Sequence, residues 1–168
     1  MPELPEVEVV KKSLENKLKN LTIKRVNISN NKLRYKIDNK EFSKIRSQKI
    51  ISIQRRSKYL IINLKNNSTI LVHLGMTGKF FIINKNKKHK TSFYYSLRKN
   101  DTKHDHITFI FNKKIKLIYN DVRKFGFIKI FPTKDVFNCR HLASLGPEPL
   151  SNDFNLNYFE KYILNKKK

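Results

Sequence analysis

Apolar residues at Val7, Val10, Leu14 and Leu18 fall on one stripe at helical spacing, so residues 5–18 (PEVEVVKKSLENKL) are predicted to form an amphipathic helix. Pro5 suits its first turn, and Glu6 and Glu8 lie near the positive end of its dipole. Past the helix the pattern changes. Short runs rich in β-branched and aromatic residues, at 21–29, 49–56, 58–65, 68–74, 78–83, 106–112, 114–120 and 125–131, are separated by polar Asn, Lys, Ser and Asp turns. About eight short strands with no helices between them predict a β-sandwich. Residues 84–105 (NKNKKHKTSFYYSLRKNDTKHD) read as a long, partly mobile loop. After the punctuated LGPEPLSND, a short helix is predicted over about 155–165. The fold class is therefore α+β: an N-terminal helix packed on a β-sandwich of about eight strands, with a short C-terminal helix.

A chain of 168 residues can bury one sizeable core and a small appendage, but not two full domains. Lys and Arg number 37 against 13 acids, a formal net charge of +24, which points to a polyanionic partner. Heavy use of Lys, Asn and Ile is also what an A+T-rich coding sequence produces, so the charge alone is weak support. No run approaches the roughly 20 apolar residues that span a bilayer, and residues 1–20 lack a signal-peptide core. Nucleic acid in the cytoplasm is thus favoured over a membrane. Cys139 is the single cysteine, which leaves no disulfide framework and no thiolate cluster for a metal.

The opening Met1-Pro2-Glu3-Leu4-Pro5-Glu6 is the stretch richest in chemistry. Removal of Met1 before the small Pro2 leaves a secondary amine at the positive end of a helix. A lysine of pKa about 10.4 is unprotonated in about 0.04% of molecules at pH 7, whereas an α-amino group near 7.7–8.0 is free in roughly 10–20%. Such an amine can attack a sugar C1′ and expel the base. Glu3 can protonate the sugar ring oxygen, and Glu6 can position it or stabilise developing positive charge. The plainer alternative is that both prolines start a helix whose acids complement its dipole.

Four further segments carry candidate chemistry. Lys58 lies between a basic pair and Tyr59 at the start of a strand, where an ammonium can meet a phosphate. Gly75 and Gly78 flank Met76 in a turn that can project a flexible apolar side chain away from a sheet. Arg123 and Phe125, two apart, share one side of an extended segment. A base taken out of the stack leaves a void and an orphaned partner, which apolar, planar and guanidinium groups can fill and bond. His104 and His106 alternate onto one face of a predicted strand, a spacing open to metal binding, though no third ligand is evident.

The string PELPEVEVV closely resembles the opening of formamidopyrimidine-DNA glycosylases. Four more motifs follow in that family's order: QRRSKYLI (54–61), HLGMTG (73–78), NDVRKFG (120–126) and LGPEPL (145–150). Together they span nearly the whole chain. Leu4 argues against the related endonuclease VIII branch, which typically has Gly there and acts on oxidised pyrimidines. The resemblance implies a bifunctional glycosylase and abasic-site lyase of base-excision repair. It would remove oxidised purines such as 8-oxoguanine and formamidopyrimidines from double-stranded DNA through a Schiff base on Pro2, as a cytoplasmic bacterial monomer.

By the same resemblance Pro2, Glu3, Glu6 and Lys58 are catalytic, Lys58 as proton donor for β-elimination. Met76 and Phe125 fill the void, and Arg123 reads the opposite base. His104 contacts DNA, His73 orients the turn that carries Met76, and Lys166 falls on a basic DNA-contacting position. The implied domains are 1–150, the catalytic domain, and 151–168, the start of a helix-two-turn-helix domain. The rest of that domain and a four-cysteine zinc finger, the family's metal site, are not among these residues. No cofactor is expected here, and the chain reads as truncated, by frameshift or as a fragment. A catalytically silent DNA-binding remnant is the competing expectation.

Overall fold

In a computed structural model, which describes residues 2–93 and 102–164, the chain forms two compact units, Met1–Val136 and Phe137–Lys168. The first opens with α1 (Leu4–Leu18), whose Val7, Val10, Leu14 and Leu18 are all buried. That is the predicted stripe, and it packs on β2 (Ile50–Arg56) and β3 (Tyr59–Leu64). The other strands are β1 (Ile23–Ile28), β4 (Ser68–His73), β5 (Lys79–Asn84), β6 (Lys87–Lys90), β7 (Asp105–Phe111), β8 (Lys116–Asn120) and β9 (Phe127–Pro132). They form two antiparallel sheets, ordered β1-β7-β8-β5-β6 and β2-β3-β4-β9. Leu60, Ile62, Ile70 and Val72 of the smaller sheet and Phe80, Ile82, Phe109, Leu117 and Tyr119 of the larger one belong to a single buried core.

The predicted α+β class and all eight predicted strands are present. The segment read as loop is not all loop. Lys87–Lys90 form a ninth strand on β5, closed by Lys85 and Asn86 at φ 47° and 62°, the left-handed pair of a type I′ hairpin. An edge strand of Lys and His has no apolar alternation to announce it. A one-turn α2 (Asn39–Ser43) was also invisible to periodicity; Asp38 caps it by accepting the Lys40 N–H at 2.8 Å, and Phe42 is its single buried residue. In the second unit, α3 (Leu156–Leu164) falls where a helix was predicted and leaves Leu156, Phe159, Ile163 and Leu164 exposed.

The topology gathers distant motifs at one rim. Besides the 29–49 connection from β1 to β2, the chain crosses between sheets twice, through 74–78 from β4 to β5 and through 121–126 from β8 to β9. In the smaller sheet Tyr59, His73 and Phe127 are paired in a row, and in the larger sheet Lys79, Asn120 and Asp105 are likewise paired. The Ser57–Lys58 turn, both crossings and His104 therefore lie at the same end of the sandwich.

Candidate active site

Glu3 precedes α1 in an extended conformation, and its N–H donates to Glu6 Oε2 at 2.9 Å. Glu6 thus fixes the backbone of Glu3 and takes up one of the helix's unpaired N–H groups. Glu3 Oε2 in turn lies 2.5 Å from Lys58 Nζ, in an ion pair open to solvent. Pro2 is half-buried immediately before them. Residues 55 positions apart in sequence, Glu3 and Lys58, are thus brought into direct contact, and Glu3 is the chain neighbour of Pro2.

Lys58 occupies the two-residue turn of the β2–β3 hairpin, whose Ser57 has φ 52°. Arg55 secures this turn to the helix. Its Nη1 donates to the Ser57 carbonyl at 3.0 Å, and its Nε donates to Glu8 Oε2 at 2.8 Å. Lys11 adds a second cation 3.0 Å from Glu8 Oε1. Burial raises the Glu8 pKa, but the hydrogen bonds and charges of Arg55 and Lys11 outweigh it and hold the carboxyl below its ordinary 4.5. The stability Glu8 contributes is then complete above pH 4.5 and is lost as pH falls through the lower folded midpoint. In Arg55→Leu the Glu8 midpoint, read by NMR titration, rises toward 4.5; an unmoved midpoint would show that Arg55 is not its charge partner.

The two sheet crossings meet backbone to backbone. Gly75 has φ 62°, and a Cβ there would come within 2.5 Å of Gly126 N and of the Phe125 carbonyl carbon. Met76 and Phe125 emerge at 40% and 46% exposure, too open for core residues. The Arg123 guanidinium carbon stands 4.6 Å from the Phe125 ring centroid, a cation stacked on an aromatic face. One apolar arm and one aromatic–guanidinium pair thus project from the same rim.

His73 ends β4 beneath this turn. Its Nδ1 accepts the Gly75 N–H at 3.1 Å, which requires Nδ1 to carry no proton. Burial first, then the charges of Arg34 and Lys58, lower its pKa below the ordinary 6.5. The unfolded chain therefore takes the proton first, and the stability His73 contributes is complete above pH 6.5 and lost as pH falls through the folded midpoint. We expect NMR to place the His73 midpoint below 6.5 and the Met76 methyl resonance to broaden as His73 titrates. A Met76 signal indifferent to His73 titration would separate the two.

His104 and His106 do not share one face of a strand, as their spacing suggested. Strand β7 begins at Asp105 with a register shift before Ile107, so His104 lies in the preceding turn. His106 is buried, its Nε2 2.7 Å from the Asp121 carbonyl oxygen. Lys166 lies outside the described residues. Among the described residues no group of three or more His, Cys, Asp or Glu is placed to hold a metal ion. Nor do the chain's own residues supply the thiolate set of a zinc finger, since Cys139 is its single cysteine. Asp121, Thr77 and Arg55, which support the rim, were not anticipated. The available signal was Asp121 itself, a lone acid inside a basic motif.

Residues 1–128 match the family described as formamidopyrimidine-DNA glycosylase N-terminal domain. A formamidopyrimidine-DNA glycosylase of Rickettsia bellii is 43% identical over 167 residues, covering 99% of this chain and 56% of the relative. One from Rhodopseudomonas palustris is 33% identical over 166 residues, covering 99% and 57%. The chain thus spans little more than half the length of these curated relatives. Among solved structures, Lactococcus lactis Fpg in complex with DNA containing an abasic site superposes with a TM-score of 0.79 at 28% identity, covering 98% of this chain and 57% of that one. The same enzyme with N7-benzyl-Fapy-dG DNA gives 0.78 at 29%, covering 98% and 56%.

Proposed function

We propose that this chain, which belongs to the formamidopyrimidine-DNA glycosylase family, excises oxidised purines from double-stranded DNA and nicks the abasic product through the amine of Pro2, exposed when Met1 is removed. The observation that carries the reading is the Glu3–Lys58 contact, 2.5 Å, made by the residue that directly follows Pro2 in the chain. In this reading the Pro2 nitrogen bonds to C1′, and the base departs with the glycosidic electron pair and takes up a proton. Glu3 protonates the ring oxygen, which opens the sugar to an iminium. Water then takes the C2′ proton, the freed electron pair forms a C2′–C3′ double bond, and the C3′–O bond breaks to release the 3′ phosphate, with the Lys58 ammonium as proton donor to that leaving group. An ammonium touching Glu3 is also a source from which the spent acid can be recharged.

Met76 and Phe125 would fill the void left by the extruded nucleotide, Arg123 would bond the base opposite, and His104 and Lys166 would contact the DNA. Unstacking costs a few kcal/mol, which such wedges offset. The exposure of Met76 and Phe125 and the stacking of Arg123 on Phe125 support this assignment. The net charge of +24 suits a polyanion. Among the described residues no helix is long and apolar enough to cross a membrane. A bacterial cytoplasmic monomer, with residues 1–150 as catalytic domain and 151–168 as the start of a helix-two-turn-helix domain, completes the reading. Cleavage of a duplex bearing 8-oxoguanine opposite cytosine tests it; equal or faster cleavage of an oxidised pyrimidine would favour the endonuclease VIII-like specificity instead.

A further inference from the structure

Asp121 is fully buried at the base of the rim, in a motif whose charged neighbours are cations. Its Oδ1 accepts from Thr77 Oγ1 at 2.5 Å. Its Oδ2 accepts from the Gly126 N–H at 2.9 Å and the Tyr119 hydroxyl at 3.2 Å. Its own N–H donates to the His104 carbonyl at 3.1 Å. Thr77 Oγ1, whose own O–H donates to Asp121, accepts the Arg123 N–H at 3.0 Å. One carboxylate therefore bonds the turn that carries Met76 through Thr77, and the loop that carries Arg123 and Phe125 through Gly126. A carboxylate suits the place because it is acceptor-only with two oxygens, whereas an asparagine would turn an N–H group toward one of these donors.

We propose that Asp121 is a positioning residue that joins the Met76 turn and the Arg123–Phe125 loop into a single unit, so that void filling and opposite-base reading engage the DNA together. This rests on the DNA-binding reading above, and it assigns Asp121 no contact with DNA. Thr77 is the joint, because its hydroxyl is shared between Asp121 and the Arg123 backbone. Buried hydrogen-bonded networks of this kind resist partial disruption, since each orphaned group keeps its desolvation cost.

The test uses the 168-residue chain with Thr77→Val, Asp121→Asn and Tyr119→Phe. Thr77→Val keeps the side-chain volume and the carboxylate, and carries the test should Asp121→Asn fail to fold. In the unbound protein, amide exchange by NMR should rise about tenfold in Thr77→Val. The rise should appear at Arg123, which loses its acceptor, and also at Gly126, which keeps its own. Tyr119→Phe removes a donor outside both crossings and should leave both amides within about threefold. A rise confined to Arg123, or an equal rise in Tyr119→Phe, overturns the coupling.

On DNA, affinity for an abasic duplex is measured for Met76→Ala, Phe125→Ala and the double variant. With Thr77 present, the double variant should bind about tenfold better than the product of the single losses requires; with Thr77→Val the losses should simply multiply. Multiplicative losses with Thr77 present would contradict the proposal. A chain that binds no abasic duplex in any form removes the DNA reading, while the exchange measurement still decides whether Asp121 couples the two crossings.

Discussion

Replacing Lys58 by alanine lowers strand cleavage at an abasic site by about 10²–10⁴-fold, the range typical of losing a positioned proton-transfer group. The prediction follows from the ammonium 2.5 Å from Glu3 and from the hairpin that holds it there. Attack by the Pro2 amine does not itself require Lys58, so the covalent adduct should still form in the variant and persist longer than in the parent. Lys58→Arg keeps the charge but donates a proton poorly, and should fall between the two. The measurement is nicking of a labelled abasic duplex, read beside adduct yield. Unchanged nicking in Lys58→Ala would remove Lys58 from the elimination step, and loss of adduct and nicking together would place its role before the elimination.

Replacing Gly75 by alanine should destabilise the fold by about 2–5 kcal/mol, the sum of the left-handed conformation's cost to a residue with a Cβ and of overpacking. At φ 62° the new methyl would come within 2.5 Å of backbone atoms of Phe125 and Gly126, and backbone cannot rotate away as a side chain can. The damage should be concentrated at the rim. Chemical denaturation would show a lower midpoint, and abasic-duplex affinity, compared at a temperature where both proteins are folded, would fall further than for Met76→Ala alone. A variant with parental stability would show that the two crossings can separate without cost, which would also weaken the role given to Asp121.

Elements with periodic apolar faces were legible in the sequence, because burial of one face writes itself as spacing. The α1 stripe at Val7, Val10, Leu14 and Leu18 and the eight hydrophobic strands are of this kind. The basic strand Lys87–Lys90 was not, since an edge strand needs only backbone pairing and a turn with positive φ. In the candidate site, residues with distinctive chemistry in a motif could be named from the chain: Pro2, Glu3, Lys58, Met76, Arg123 and Phe125. Their supports could not. Arg55 is one of many cations until it is seen bridging Ser57 and Glu8. Thr77 resembles any turn threonine until its hydroxyl is found between Asp121 and Arg123. Such roles depend on which strands become neighbours, and a single sequence does not carry sheet order.

Borohydride trapping on a duplex with an abasic site, or with 8-oxoguanine opposite cytosine, tests the Pro2 chemistry most directly. The purified 168-residue chain, with removal of Met1 verified by mass spectrometry, is compared with Pro2→Leu, in which a larger second residue retains Met1 and keeps position 2 in an amide bond. A stable protein–DNA adduct from the parent chain, mapped to Pro2 and absent from the variant, is the predicted result. No adduct from folded, Met1-free protein would contradict the amine mechanism in this chain and leave a silent DNA-binding remnant as the better description.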